Sequence, residues 1–199
     1  MSDTVEARLR RALDRPAGPS SDFDLNPGMR PTAGKPLRPA AVLLPIWLRP
    51  EGAGLLLTKR ASHLKHHPGQ IAFPGGKVDP TDAGPEAAAL REAKEEIGLP
   101  PAMVEIIGSL PVHETVTGFV VTPFVGLLRG HFEPVPEAGE VEEVFTVPFD
   151  HVIDPSRFAV ERRQWMGVWR RYYAVPWGPY YIWGATARIL RGLADRVSG

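Results

Sequence analysis

The chain has 199 residues, 43% of them hydrophobic, with 23 Lys and Arg balanced by 23 Asp and Glu and no cysteine. That length buries a sizeable core unaided; the missing cysteines exclude disulfides, zinc–thiolate centres and thiol nucleophiles; and the balanced charge offers no basic field for nucleic acid. No apolar run reaches the ~18 residues of a membrane span, and the N-terminus lacks the apolar core of a secretion signal, so a cytoplasmic protein with no nucleic-acid or membrane partner is expected.

Residues 4–14 read as a short helix with Val5, Leu9 and Leu13 on one face; the arginines around it are read as solvated. Residues 16–39 are rich in Pro, Gly, Ser and Asp and read as a loop or linker. The first 36 residues are therefore expected to be a helix plus a Pro/Gly-rich extension whose removal, to residue 30, leaves catalysis largely intact. The run 40–48 predicts a buried strand, in which Pro45 marks a bulge or an edge. After the turn at 51–54, residues 55–59 return as a hairpin partner. A short strand is expected at 70–73 before the Pro74-Gly75-Gly76 break, and a strong helix at 85–97. Strands follow at 103–110, 113–116, 120–128 and 144–148, with 172–177 a further candidate, and a C-terminal helix spans 184–197. Strands with interspersed helices make a mixed α/β domain.

The chemistry concentrates on the helix at 85–97. Pro85 suits its first position and Gly98 its C-terminal cap, while Pro100 and Pro101 prevent continuation. At 3.6 residues per turn, Glu92, Glu95 and Glu96 fall within about 100° of one another, opposite Leu90, Ala93 and Ile97. Arg91 stands four residues before Glu95 and can orient it. Clustered carboxylates repel, and a divalent cation removes the repulsion; hard oxygen ligands suit Mg²⁺ or Mn²⁺. The bland alternative is a solvated acidic face with Arg91 and Lys94 as surface partners.

Gly76 followed by Arg91-Glu92-Ala93-Lys94-Glu95-Glu96-Ile97-Gly98-Leu99 resembles the Nudix box. The first half departs from it: Asp82 stands where the box has a glutamate, and the stretch to Arg91 is one residue longer than usual. Residues 56–61 (LLTKRA), Lys65 and residues 69–76 (GQIAFPGG) look like the signature of the coenzyme A pyrophosphatase branch, which also tends to carry the insertion seen at Asp79 and Asp82. The likeness continues through residues 117–119, 121–124, Glu140 and residues 183–187, and covers about 37–191.

The resemblance implies an α/β/α sandwich around a mixed β-sheet, with the Nudix domain over 37–199. It implies a catalytic set of Arg91, Glu92, Glu95 and Glu96, the three glutamates holding Mg²⁺ or Mn²⁺, and a substrate set of Arg60, Lys65, Gly75 and Gly76. The implied reaction is hydrolysis of the coenzyme A diphosphate to 4′-phosphopantetheine and adenosine 3′,5′-bisphosphate. The alternatives are another nucleoside diphosphate derivative, such as NADH or ADP-ribose, or a silent Nudix-fold binding module. Glu140 and Glu114 are candidate bases, and Arg60 is open between phosphate contact and pairing with a box glutamate. His63, His66 and His67 read as a loop rather than a zinc site. The aromatic residues from Trp165 to Trp183 read as core or interface, which leaves a homodimer open, with an adenine-stacking or acyl-recognition surface as the alternative.

Overall fold

A computed structural model describes residues 4–30, 36–165 and 167–199. In chain order, helix α1 (Val5–Asp14) precedes β1 (Ser20–Ser21), β2 (Arg38–Arg49), β3 (Gly52–Arg60), β4 (Ile71–Ala72) and β5 (Gly75–Lys77). Helix α2 (Pro85–Ile97) follows, then β6 (Val104–Ser109), β7 (His113–Glu114), β8 (Phe119–Arg129) and β9 (Val141–Pro148). The chain closes with α3 (Phe149–Val152), β10 (Ala159–Trp165), β11 (Val168–Ala174) and α4 (Gly184–Ser198). No helix among the described residues is long and apolar enough to cross a membrane.

One mixed sheet runs β1–β7–β8–β2–β3–β4, with β5 on β2, β6 on β8 and β9 on β3. Its spine is the parallel pair β2–β8, in register from Arg38–Phe119 to Leu48–Arg129. Because successive strand residues point to opposite faces, β2 feeds two cores. Leu44 and Ile46 join a core with Leu9 of α1, Phe149 of α3, and Leu190 and Leu193 of α4. Ala41 and Leu43 join a core with Ala88, Ala89, Ala93 and Ile97 of α2. The expected α/β/α sandwich is the observed one.

Three expectations are corrected. Pro45 sits at neither an edge nor a bulge, but in a central strand. On one side β2 bonds continuously to β8; on the other its partner changes from β5 at residues 40–42 to β3 at residues 46–49. The Leu43 N–H reaches Pro74 O on that changing side; the position two residues on faces the same way, so the missing N–H of Pro45 falls in the gap between partners.

Residues 16–39 are not merely a linker. Ser20 and Ser21 pair in parallel with His113 and Glu114, and a 3₁₀ turn follows at Pro27–Met29. The fully buried His113 ring fixes the join, hydrogen-bonding Ser20 Oγ at 2.9 Å and Asp22 Oδ1 at 3.1 Å. Finally, the strand expected at 172–177 is the second arm of the hairpin β10–β11, and it ends at Ala174. Residues 159–165 are exposed on both faces, so they carry no apolar alternation.

Candidate active site

The second core places the glutamates. Buried Ala88, Ala89, Ala93 and Ile97 press α2 onto β2, and Gly98 closes the helix in the left-handed conformation at φ 70°. Strand β5 runs beside the helix. A Cβ on Gly76 would lie 2.6 Å from Glu92 Cδ, and one on Gly75 would lie 2.6 Å from Val42 Cα. Backbone approach and a positive φ thus require glycine at Gly75, whereas a side chain at Gly76 would displace the Glu92 carboxylate; the expected break at 74–76 is a short strand as well. The Gly75 N–H donates to Glu96 Oε2 at 3.1 Å.

The structure brings Glu92 and Glu96 together and treats Glu95 differently. Glu96 is 5% exposed. Burial pushes its pKa up to about 8; the Gly75 N–H opposes this, and the charges of Glu92 and Glu140 add to it. Burial also raises Glu92, with Glu95 and Glu140 contributing. Glu95 lies at the surface, its carboxylate 2.9 Å from Arg91 Nη1.

Arg91 is a hub rather than a substrate contact. Its Nε and Nη2 take Asp82 in a fork at 2.9 and 3.1 Å, its Nη2 donates to Lys77 O at 3.2 Å, and its Nη1 reaches Glu92 Oε1 at 3.2 Å. Asp82 is also gripped by the Asp79 N–H at 2.8 Å, and the Arg91 hydrogen bond holds its carboxyl below the usual range. The inserted Asp segment therefore anchors Arg91, which positions Glu92 and Glu95.

Glu140 is carried to the glutamates by the loop that closes the C-terminal end of α2. The Val135 N–H bonds Ile97 O at 3.0 Å, and the Glu137 N–H bonds Glu96 O at 2.9 Å. Glu114, the other candidate base, is paired with Arg30 at 2.7 Å.

A cavity of about 900 Å³ opens beside this cluster. Arg60 and Gly75 link the two: both line the cavity, Gly75 bonds Glu96, and the Arg60 charge draws the Glu96 pKa down. Among the described residues no ion pair joins Arg60 to a box glutamate. Lys65 lies exposed outside the cavity wall, whereas His67, Gly69 and Gln70 of the same loop line it. His67 holds a positive φ of 54°.

Much of the remaining wall escaped sequence reasoning. It comes from Asp22, Phe23, Asn26 and Met29 of the N-terminal extension, from the β10–β11 hairpin, and from Trp183 to Thr186 where α4 begins. The sequence signals were the family likeness at residues 183–187 and the density of arginine and tryptophan in residues 162–171.

The donor set fits a divalent cation. Burial raises Glu92 and Glu96, and neighbouring carboxylate charges add to both shifts, which is repulsion that a cation relieves. Among the described residues no three His, Asp or Glu groups converge as a ready-made cage.

A mixed sheet between helices, with a glycine-backed glutamate helix beside a nucleotide-sized cavity, defines a Nudix-type domain. The family model for the NUDIX domain matches residues 37–167. The chain is 50% identical over 160 residues to the uncharacterized Nudix hydrolase NudL of Enterobacter sp. (strain 638), covering 80% of this chain and 83% of that protein. It is 47% identical over 164 residues to NudL of Salmonella newport (strain SL254), with the same coverage of 80% and 83%. Among solved structures, RenU, a Nudix hydrolase from M. smegmatis, aligns at TM-score 0.50 with 28% identity over 59% of this chain and 74% of that one. A MutT/nudix family protein from Enterococcus faecalis shares the fold at TM-score 0.51 and 20% identity, over 84% of this chain and 64% of that one. The chain belongs to the Nudix family. Nudix hydrolases generally use divalent metal ions, and Nudix proteins bind nucleotide-derivative substrates.

Proposed function

We propose that the protein is a Mg²⁺- or Mn²⁺-dependent hydrolase of the diphosphate of coenzyme A or its derivatives, releasing 4′-phosphopantetheine and adenosine 3′,5′-bisphosphate. One observation carries this reading. The segment resembling the coenzyme A pyrophosphatase signature supplies Arg60, Gly69, Gln70 and Gly75 to a single cavity that abuts Glu92 and Glu96.

Glu92 and Glu96 are the carboxylates that would hold the metal. A divalent cation bound there supplies charge neutralisation on the phosphoryl oxygens and a water acidic enough to attack. Arg91 and Asp82 fix the rotamer of Glu92. Arg60 offers a guanidinium to a diphosphate oxygen at the cavity end nearest Glu96. Glu140, whose charge acts on both Glu92 and Glu96, is the carboxylate we assign to take the proton of the attacking water. The phosphorus–oxygen bond between the two phosphoryl groups breaks, and both products leave as phosphate monoesters.

The test is product-resolved incubation with Mg²⁺ or Mn²⁺ and a panel of coenzyme A, acetyl-coenzyme A, NADH, ADP-ribose and dinucleoside polyphosphates. Phosphopantetheine and adenosine 3′,5′-bisphosphate forming fastest supports the reading. Faster turnover of NADH or ADP-ribose overturns the substrate and keeps the chemistry. No turnover with either metal makes the protein a binding module.

A further inference from the structure

The hairpin β10–β11 places like charges face to face. Arg162 is the cross-strand partner of Arg171, and Arg163 of Arg170. Like charges directly opposite one another destabilise a strand pair. Among the described residues none of the four forms an ion pair. Two are braced on tryptophan faces instead: Arg170 Cζ lies 4.7 Å from the Trp165 ring centroid, and Arg162 Cζ lies 5.1 Å from that of Trp169.

Strand alternation decides which arginines share a face. Arg163, Trp165, Arg170 and Tyr172 fall on one face, and all four line the cavity. Glu161 shares that face but stands opposite Tyr172, and its charge acts on Tyr181. Arg170 Nε is buried and has no hydrogen-bond partner. Stacking on the Trp165 ring covers that atom and leaves the rest of the guanidinium to the cavity that Arg170 lines. Around the cavity, four arginines face one acidic residue, Asp22, which is already engaged by His113 and by the Val116 N–H at 2.9 Å. Asn26 holds the hairpin in place, its side chain exchanging hydrogen bonds of 2.8 and 2.9 Å with the backbone of Arg171.

We propose that Arg163 and Arg170, braced by Trp165, form a second anion subsite that binds a phosphate monoester on the nucleotide portion of the substrate, apart from the diphosphate cleaved beside α2. Guanidinium groups match phosphate oxygens in bidentate geometry, and a phosphate between the two arginines removes their repulsion. Resting on the coenzyme A reading, the group in question is the ribose 3′-phosphate, and the hairpin sets the preference for substrates that carry it.

The experiment compares coenzyme A with 3′-dephospho-coenzyme A, which differ only in that phosphate, on wild type and R163A/R170A. Wild type is expected to favour coenzyme A. The double variant is expected to lose roughly 10- to 100-fold in kcat/KM on coenzyme A, mainly through KM, and to change less than about twofold on the dephospho substrate. Equal losses on both substrates, or no preference in wild type, overturn the subsite. Calorimetric titration with adenosine 3′,5′-bisphosphate and with AMP gives a readout independent of turnover. Tighter binding of the bisphosphate, abolished in R163A/R170A, upholds the subsite even where coenzyme A is not cleaved, which would sink the functional reading alone. Coenzyme A cleavage without that difference sinks the subsite alone. R163A/R170A is expected to melt no lower than wild type, since it removes a like-charge pair; if it misfolds, R163Q/R170Q gives the same comparison.

Discussion

The glutamate helix and the arginine hairpin carry opposite charges and are held in opposite ways. Helix α2 is fixed on every side: its alanines lie in a core, Gly75 and Gly76 press against its carboxylates, and Arg91 ties it to the Asp79–Asp82 turn. The hairpin β10–β11 is exposed along β10, and Trp165 and Trp169 are half in solvent. The fold enforces the position of the Glu92 and Glu96 carboxylates, whereas the basic hairpin keeps charge without an ion-pair partner among the described residues. Chemistry is preorganised at one end of the cavity, and selectivity is left adjustable at the other.

That contrast breaks most readily at Glu96. E96Q should lower kcat by about 10²- to 10⁴-fold while leaving the fold intact, because the amide keeps the Gly75 contact and drops the charge. Steady-state kinetics and a melting curve check it. G76A should act on both properties, since its Cβ meets the Glu92 carboxylate; a loss of about 1–3 kcal/mol, read by denaturant unfolding, should accompany falling activity. D82A frees Arg91 without touching the glutamates, and metal affinity read by Mn²⁺ titration should weaken by about 10- to 100-fold. The smallest effect is expected on the hairpin side, where N26A should raise KM for coenzyme A a few-fold and leave kcat near wild type. Deletion of residues 1–30, by contrast, should lower the melting temperature sharply, because it removes buried Leu9 and Ala12 and the strand that clasps His113.

The sequence reading, which expected this deletion to leave catalysis largely intact, did not include this packing. Helix α2 was legible to its first and last residue, because Pro85, Gly98 and the 3.6-residue period are local signals. The glutamate face was legible for the same reason, whereas the Arg60 to Gly76 segment stood out only by its family likeness, and Lys65 within it lies outside the cavity wall. Ser20 and Ser21 carry no strand pattern; they become one because Ser20 Oγ and Asp22 find a buried histidine more than 90 residues away. The role of Asp82 was hidden likewise, since only the folded turn shows it forked against Arg91. The tryptophans and tyrosines read as one core or interface group, but the structure divides them. Tyr180 stacks on Phe145 at 3.5 Å, whereas Trp165 braces an arginine. Residue type alone does not separate these roles.

The central claim is that Glu92 and Glu96 are buried together for a divalent cation, and the melting temperature as a function of pH tests it most directly. An unfolded glutamate releases its proton near pH 4.5, whereas folded Glu96 holds its proton up to about 8. The native state therefore binds more protons across this window, and its stability falls as pH rises through it. In EDTA, the wild-type melting temperature should decline from pH 5 to 8.5; saturating Mn²⁺ should flatten the curve, and E96Q should show a shallower decline and a weaker Mn²⁺ response, with Glu92 supplying what remains. A flat wild-type curve in EDTA, or an undiminished Mn²⁺ response in E96Q, would contradict the account.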